Sequence, residues 1–197
     1  MIPIIACTIG SPSVAVLQAS VNAYTQSELI VDYNEPSNFG DAYNAAMSRA
    51  FEKYNEIIIA NDDIVLTPSS YKLLIEDVEW LKLRVRKLGL VSATADNVRS
   101  SQKPRQTVAI YRADRVSPLF CWISKEAFSL VKFPPINWWS DDVMCEDLNR
   151  LGFEHYISRS YVHHAGSLTI GTNYDKLNND SIPWLVENRP QYLNKWF

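Results

Sequence analysis

The clearest hydrophobic pattern in the chain is a short run, Ile57 to Ala60, that is rich in β-branched residues. It predicts a strand buried on both faces in the middle of an α/β sheet. A second apolar run, Ile64 to Leu66, follows after Asn61, Asp62 and Asp63. Because a surface turn rarely separates two buried runs, we expect the two acids to project from the sheet edge into a cleft. Solvated turns and helix caps have the same composition, so the pattern alone leaves that alternative open.

Apolar runs and amphipathic stretches alternate along most of the remaining sequence. A strand, a helix and a second strand in succession imply parallel pairing with a right-handed crossover. We therefore expect an α/β fold, a single Rossmann-like domain with a mostly parallel central sheet flanked by helices. The further expected strands are 2–8, 28–32, 90–93, 107–111, 119–124 and 153–157, with a strand and turn at 161–167, and the expected helices are 14–24, 38–54, 69–87, 125–131 and 141–152.

Two stretches lack hydrophobic periodicity. Residues 95–105 are polar and are predicted to form a mobile loop over the cleft. Its cations Arg99, Lys103 and Arg105 could contact a diphosphate, although solvated loop charges are the commoner explanation. The tail, residues 171–197, is expected to be irregular and to pack on the surface of the domain formed by residues 1–170.

Length and composition narrow the class of protein. With 197 residues, 47% of them hydrophobic, the chain is long enough for one full core. A net charge of -3 without a long basic run argues against nucleic acid recognised through its phosphates. The three cysteines are widely spaced, which predicts neither disulfides nor a zinc site and fits a reducing cytoplasm. The first apolar segment is too short to span a bilayer, so we expect no transmembrane segment.

Candidate chemistry in the first half of the chain lies at the ends of predicted strands. Asp32 follows one strand, and the adjacent acids described above follow another, which is where open α/β sheets place their ligands. Adjacent carboxylates suit Mg2+ or Mn2+ held together with substrate phosphates. Asn38, Gly40 and Asn44 begin a predicted helix and could bind phosphate or ribose there. A plain helix cap with small packing residues explains them equally well.

The second half of the chain adds three candidate features. Trp138 and Trp139 could form a platform on which a sugar stacks, and packing against a neighbouring element is the rival explanation. Asp141 and Asp142 begin a helix that ends at Gly152, and the helix dipole partly explains acids in a first turn. Two of the three histidines, His163 and His164, follow in a strand and turn.

The order of these features resembles the GT-A glycosyltransferases, specifically the large inverting family that includes chitin and cellulose synthases and many bacterial rhamnosyl- and glucosyltransferases. The resemblance covers residues 2–167. It implies a GT-A catalytic domain of the hexosyltransferase type in residues 1–170, which moves a sugar from a UDP sugar to an acceptor hydroxyl with Mn2+ or Mg2+. The membrane helices that often follow this domain in the family have no counterpart here, so the chain resembles a minimal catalytic domain.

The resemblance also implies roles for individual residues. The nucleotide base would contact Thr8 and Asp32, the nucleotide pocket would be lined by Asn38, Gly40 and Asn44, and the ribose would lie near Asp62. The metal would be bound by Asp63 and by either His163 or His164, and one member of the Asp141-Asp142 pair would act as the general base. Two departures from the family pattern are Asn61, where an aspartate usually begins the metal motif, and Tyr43, where many relatives carry arginine.

Two other functions are compatible with parts of this pattern. A sugar nucleotidyltransferase has a related sheet but needs a glycine-rich, basic loop after the first strand, and residues 8–12 lack that composition. A catalytically silent module that binds a nucleotide or a sugar would keep the first acidic site. Such a module would not need Asp141 and Asp142, so turnover distinguishes it from the enzyme.

Overall fold

The computed structural model describes residues 1–33, 37–166 and 173–196. Within them an eight-stranded sheet has the spatial order β2-β1-β3-β7-β5-β8-β4, and β6 pairs with β8. The strands are β1 (Ile4–Thr8), β2 (Leu29–Tyr33), β3 (Glu56–Asn61), β4 (Ile64–Leu66), β5 (Leu88–Ala95), β6 (Tyr111–Ala113), β7 (Phe120–Ser124) and β8 (Glu154–His164). The helices are α1 (Ser13–Tyr24), α2 (Phe39–Ala50), α3 (Ser70–Lys82), α4 (Lys125–Leu130), α5 (Ser140–Arg150), α6 (Tyr174–Asn188) and α7 (Pro190–Trp196).

The predicted α/β fold with a mostly parallel sheet is confirmed. Strands β1, β2, β3, β5 and β8 run in one direction, whereas β4, β6 and β7 run in the other, so the sheet is mixed. No helix in the described ranges combines the length and the apolar character that a membrane crossing requires.

The central strand β3 separates two hydrophobic cores, because successive side chains of a strand point to opposite faces. Ile57 and Ile59 pack with α2, α4 and α5 on one face. Ile58 and Ala60 pack with α1 and α3 on the other. All four side chains are fully buried, as the unbroken apolar run predicted. Helices therefore cover both faces of β3, and its polar continuation emerges at the sheet edge.

Several predicted boundaries were wrong. Helix α3 ends at Lys82 rather than at 87, and Gly89 lies inside β5 instead of ending the helix. A Cβ atom at Gly89 would lie 2.7 Å from the His155 ring, so this glycine makes room for a buried side chain. The two strands predicted after residue 153 form the single strand β8. The tail predicted to be irregular contains the helices α6 and α7.

The side chain of His155 joins three elements of the core. It is fully buried, its Nδ1 accepts from the Leu90 amide at 2.9 Å, and its Nε2 lies 3.0 Å from the Cys145 carbonyl. These partners require a neutral ring with the hydrogen on Nε2. Burial is the largest influence on this ring and lowers the pKa of His155.

This buried histidine predicts a stability that depends on pH. In the unfolded chain His155 has its ordinary pKa of about 6.5, so protonation below that pH favours the unfolded state. The free energy of unfolding should therefore fall as the pH drops below about 6.5, by at most about 1.4 kcal/mol per pH unit. Urea unfolding of the wild type and of His155→Gln, repeated between about pH 4.5 and 8 in steps of about half a unit, measures how the free energy of unfolding depends on pH. The variant should lose that part of the slope, and identical slopes would contradict the prediction.

Candidate active site

A cavity of about 840 Å³ opens where β1, β3 and β8 end. Carboxyl ends of parallel strands are the usual ligand site of open α/β sheets, and the volume suits a small-molecule ligand. Many of the residues singled out from the sequence line it, namely Thr8, Asn38, Asp62, Asp63, Arg99, Lys103, Trp138, Trp139, Asp141, Asp142 and His164. Within the described part of the chain, five others do not belong to its lining, namely Asp32, Gly40, Asn44, Arg105 and His163.

Asp62 is held at the floor of the cavity by Thr8. The Thr8 hydroxyl donates to the Asp62 carboxylate at 2.6 Å, and both side chains are buried. The same hydroxyl oxygen accepts from the amides of Gly10 and Ser11 at 3.1 and 3.2 Å. Thr8 therefore ties the end of β1 to the acid that follows β3.

Strand β4 brings Asp63 to His164. It pairs antiparallel with the end of β8, so that Ile64 lies opposite His164. The imidazole Nε2 of His164 then lies 3.2 Å from the Asp63 carboxylate, and both side chains are largely buried. Burial opposes a charge on this ring, but the hydrogen bond and the negative charge of Asp63 outweigh it and raise the pKa of His164.

The Asp63 and His164 pair fits part of a metal site. His164 Nδ1 lies 2.5 Å from the Asn97 carbonyl, so Nδ1 carries the hydrogen and Nε2 faces Asp63. Metal-bound histidines usually donate their second nitrogen in this way. Within the described residues, no group of three or more His, Cys, Asp or Glu side chains could hold a metal ion. A cation that is also bound by substrate phosphates needs only one or two protein ligands.

The two adjacent histidines point in opposite directions, as alternation along a strand requires. His163 is more than half exposed, and its Nδ1 lies 2.5 Å from the Asp96 carboxylate. Asp96 also accepts from the His164 amide at 2.8 Å. His164 therefore belongs to the cavity, whereas His163 anchors the loop that follows β5.

The second acidic site is bound by two arginines. Arg99 donates to the Asp142 carboxylate at 2.7 Å and to Asp141 at 2.9 Å. Arg115 lies 3.1 Å from Asp142. Burial and then the charge of Asp142 raise the pKa of Asp141, although Arg99 opposes the shift. Both arginines line the cavity together with Lys103.

The segment 95–105 was predicted to be a mobile loop, and the structure fixes it at two points. At its start, the Asn97 side chain donates to the His164 carbonyl at 2.8 Å. Farther on, Gln102 is fully buried within a short 3-10 turn, Ser100–Gln102. Sequence reasoning included Arg99 and Lys103 but missed Arg115 and Gln102, because single polar residues in irregular segments carry no periodic signal.

The two tryptophans both line the cavity, and packing also explains one of them. Trp139 has a positive φ of 68°, which is rare for a bulky residue. Its ring stacks on Trp196 of α7 with 5.2 Å between centroids, and its indole nitrogen donates to Asn178 at 2.9 Å. Trp139 therefore joins the C-terminal helices to the cavity wall.

At the start of α2, Asn38 lines the cavity, whereas Gly40 and Asn44 contact protein backbone instead. Asn38 caps the helix by accepting from the Asp41 amide at 2.8 Å, as one interpretation of the sequence expected. A Cβ atom at Gly40 would lie 1.8 Å from the Pro134 carbonyl oxygen, so the glycine admits protein backbone where we expected a ligand. Asn44 exchanges two hydrogen bonds with the backbone of Phe133.

We expected Asp32 to contact a nucleotide base, but the structure places it away from the cavity. It lies in β2, as predicted, and its carboxylate forms an ion pair with Arg49 of α2. The pair joins an edge strand to the helix beside it. Asp32 is outside the cavity lining that the described residues define.

No protein-family model matches this sequence, and no curated protein is significantly similar to it. The structure, by contrast, is similar to solved glycosyltransferases. GalNAc-T7 with UDP, GalNAc and Mn2+ has a TM-score of 0.64 and 12% identity over 90% of this chain and 48% of that one. S. aureus TarS 1-349 in complex with UDP-GlcNAc has a TM-score of 0.57 and 12% identity over 94% of this chain and 66% of that one.

A third similar structure is a glycosyltransferase involved in the glycosylation of the major capsid of PBCV-1. Its TM-score is 0.54 and its identity 10%, over 90% of this chain and 98% of that one. The chain thus spans nearly all of this structure but about half of GalNAc-T7. At such identities the similarity establishes the fold, which is a GT-A-like α/β domain.

Proposed function

We propose that this chain is a metal-dependent, inverting glycosyltransferase of the hexosyltransferase type that moves a sugar from a UDP sugar to an acceptor hydroxyl. One observation carries the proposal. Two acidic sites that are about 80 residues apart in the sequence line the same cavity, with Arg99 and Arg115 bound to one of them. We also propose membership of the large inverting family that the sequence resembles.

The proposed donor site is the part of the cavity around the ends of β1 and β3. In this proposal Thr8 and Asn38 line the nucleotide pocket, and the Asp62 carboxylate accepts hydrogen bonds from the ribose hydroxyls. The diphosphate would bind toward Asp63, in the cavity that Arg99, Lys103 and Arg115 also line. Similar structures that contain UDP or UDP-GlcNAc support a uridine nucleotide for this site.

Asp63 and His164 are the residues that would hold Mn2+ or Mg2+. When bound, the cation would neutralise the charge that develops on the departing nucleoside diphosphate. The tautomer of His164, which is fixed by Asn97, leaves Nε2 directed at Asp63. The similar structure of GalNAc-T7 contains Mn2+ together with UDP, which supports this assignment.

The acceptor is proposed to bind between the tryptophans and the acids at the start of α5. An attacking hydroxyl must lose its proton as it bonds to the anomeric carbon, and a carboxylate of the Asp141-Asp142 pair accepts that proton. The raised pKa of Asp141 favours a base that works near neutral pH. Arg99 and Arg115 hold the pair in place.

We further propose that the enzyme acts in a reducing cytoplasm, with residues 171–197 packed on the catalytic domain. The three cysteines are widely spaced in the sequence, and Cys121 and Cys145 are buried. In the tail, Arg189 and Tyr192 bind Asp147 of α5 at 2.8 and 2.5 Å. Val143 and Leu185 share a small apolar cluster with Tyr192.

A binding module without catalysis is the second candidate, and one observation favours it. Asp141 and Asp142 are already paired with Arg99 and Arg115, as acids with a purely structural role would be. Such a module would bind a nucleotide sugar and leave it intact.

The experiment that tests the proposal is a screen of nucleotide sugars with and without Mn2+. Each is incubated with the protein, and both hydrolysis and the shift of the thermal unfolding midpoint are measured. A true donor at about 100 times its Kd should add about 2.7 kcal/mol to the free energy of unfolding. We expect a UDP sugar to stabilise the chain and to be hydrolysed slowly, with water as acceptor. Stabilisation without hydrolysis would favour the binding module, and neither effect with any nucleotide sugar would refute both.

A further inference from the structure

Gln102 is a fully buried polar residue, and both polar atoms of its side chain are hydrogen-bonded. Its Nε2 lies 3.0 Å from the Ser92 hydroxyl and 2.8 Å from each of the carbonyls of Ala93 and Ser117. Its Oε1 accepts from the Ser117 amide at 2.8 Å. A buried amide is costly unless it is bonded in this way. These bonds make Gln102 a fixed point between β5 and the segment that contains Ser117.

The two segments that Gln102 joins carry the arginines of the cavity. Arg99 lies three residues before Gln102, and Arg115 lies two residues before Ser117. The Ser117 hydroxyl also accepts from Arg99 Nε at 2.9 Å. Ser117 is thus bound through its backbone by Gln102 and through its side chain by Arg99. The bonds of one amide group therefore fix both arginines relative to β5.

The orientation of Arg99 depends on this support. Its Nε is used by Ser117, which leaves its two terminal nitrogens for Asp142 and Asp141 at 2.7 and 2.9 Å. A long side chain has many rotamers, and an arginine anchored at Nε presents its planar end in one direction. Gln102 itself lies beneath the cavity surface and is not part of the lining that the described residues form.

We propose that Gln102 is a positioning residue, which sets Arg99 and Arg115 for the donor diphosphate and for the acidic pair without touching either. This inference rests on the proposed function, since it assigns the arginines to the diphosphate and to Asp141 and Asp142. It predicts that the loss of the amide disturbs catalysis through Arg99, even though the fold is kept.

The test compares Gln102→Met with the matched control Asp77→Asn. Methionine has nearly the volume of glutamine and removes all four hydrogen bonds. Asp77 is another fully buried, hydrogen-bonded residue, and its partners Ser158 and Arg159 lie outside the cavity lining that the structure describes. We expect Gln102→Met to lower kcat/KM for the UDP sugar about 10- to 100-fold, and Asp77→Asn to leave kcat/KM unchanged in the folded protein.

A double-mutant cycle with Arg99→Lys separates positioning from general destabilisation. If Gln102 acts through Arg99, Gln102→Met should lower kcat/KM by a smaller factor in the Arg99→Lys background than in the wild type, because only the effect through Arg115 remains and residues of one hydrogen-bond network are not additive. Losses that multiply in the double variant would overturn the inference. So would wild-type kcat/KM in a folded Gln102→Met protein.

A second measurement does not depend on activity. The NMR signal of the Arg99 Nε hydrogen, assigned by its loss in Arg99→Lys, should exchange slowly with water in the wild type because it is bonded to Ser117. Its exchange should accelerate in Gln102→Met and stay slow in Asp77→Asn. If the wild type turns over no donor, the proposed function fails while this exchange still decides whether Gln102 positions Arg99. Unchanged exchange in Gln102→Met would refute the inference.

Discussion

Replacement of both Asp141 and Asp142 by asparagine is expected to lower turnover by about 10²- to 10⁴-fold, the range that general base catalysis contributes. Asparagine has the shape of aspartate but cannot take a proton from the acceptor. Binding of UDP should persist, because Arg99 and Arg115 lose their anionic partners and stay in the cavity. Steady-state turnover of the UDP sugar, with calorimetric UDP affinity beside it, measures the two effects.

The proposed base also predicts the direction in which turnover changes with pH. Burial raises the pKa of Asp141, so this carboxyl group loses its proton at a higher pH than an ordinary aspartate does. Turnover should therefore decline as the pH falls through that raised pKa, and single asparagine variants at 141 and 142 show which acid sets the decline.

Asp147→Asn is a matched control on the same helix, because Asp147 binds Arg189 and Tyr192. It should retain turnover. A double variant at 141 and 142 that keeps wild-type turnover would show that the pair is not the base.

Replacement of Asp63 by alanine should remove the effect of Mn2+ on UDP affinity. Asp63 and His164 are the two proposed ligands, which lie side by side after β3 and at the end of β8, and alanine would leave only the histidine. Loss of an outer partner of a metal ligand already costs about 10- to 100-fold in metal affinity, so loss of the ligand itself should cost at least that much. Calorimetry of UDP with and without Mn2+ gives the difference directly.

Asp180→Ala is the control for charge alone, because this exposed residue of α6 pairs with Lys176. It should show the wild-type dependence on Mn2+. If Asp63→Ala binds UDP with the same gain from Mn2+ as the wild type, the metal assignment is wrong.

The sequence was sufficient to predict the strands that hold the first acidic site. The apolar run before Asn61 has no helical period, and its β-branched residues favour a strand. The local pattern was therefore enough to predict β3 and the position of Asp62 and Asp63 directly after it. The choice between His163 and His164 did not follow. Alternation along a strand places them on opposite faces, but only the pairing of β8 with β4 decides which face meets Asp63.

The positions of Arg115 and Gln102 and the helices of the tail could not be predicted, because they depend on tertiary packing. Arg115 and Gln102 lie in irregular segments, where no period marks them. The tail contains Pro183 and several asparagines, which lower helix propensity, yet α6 forms there. Its stability comes from contacts that are distant in sequence, such as Leu185 and Tyr192 with Val143.

The pairing of β4 with β8 also determines when this edge of the sheet can form during synthesis of the chain. In the described ranges β8 is the only strand that pairs with β4, and its residues Val162 to His164 leave the ribosome nearly a hundred residues later. At about 5–20 residues per second, the nascent chain carries an unpaired β4 for roughly 5–20 seconds before that edge can close.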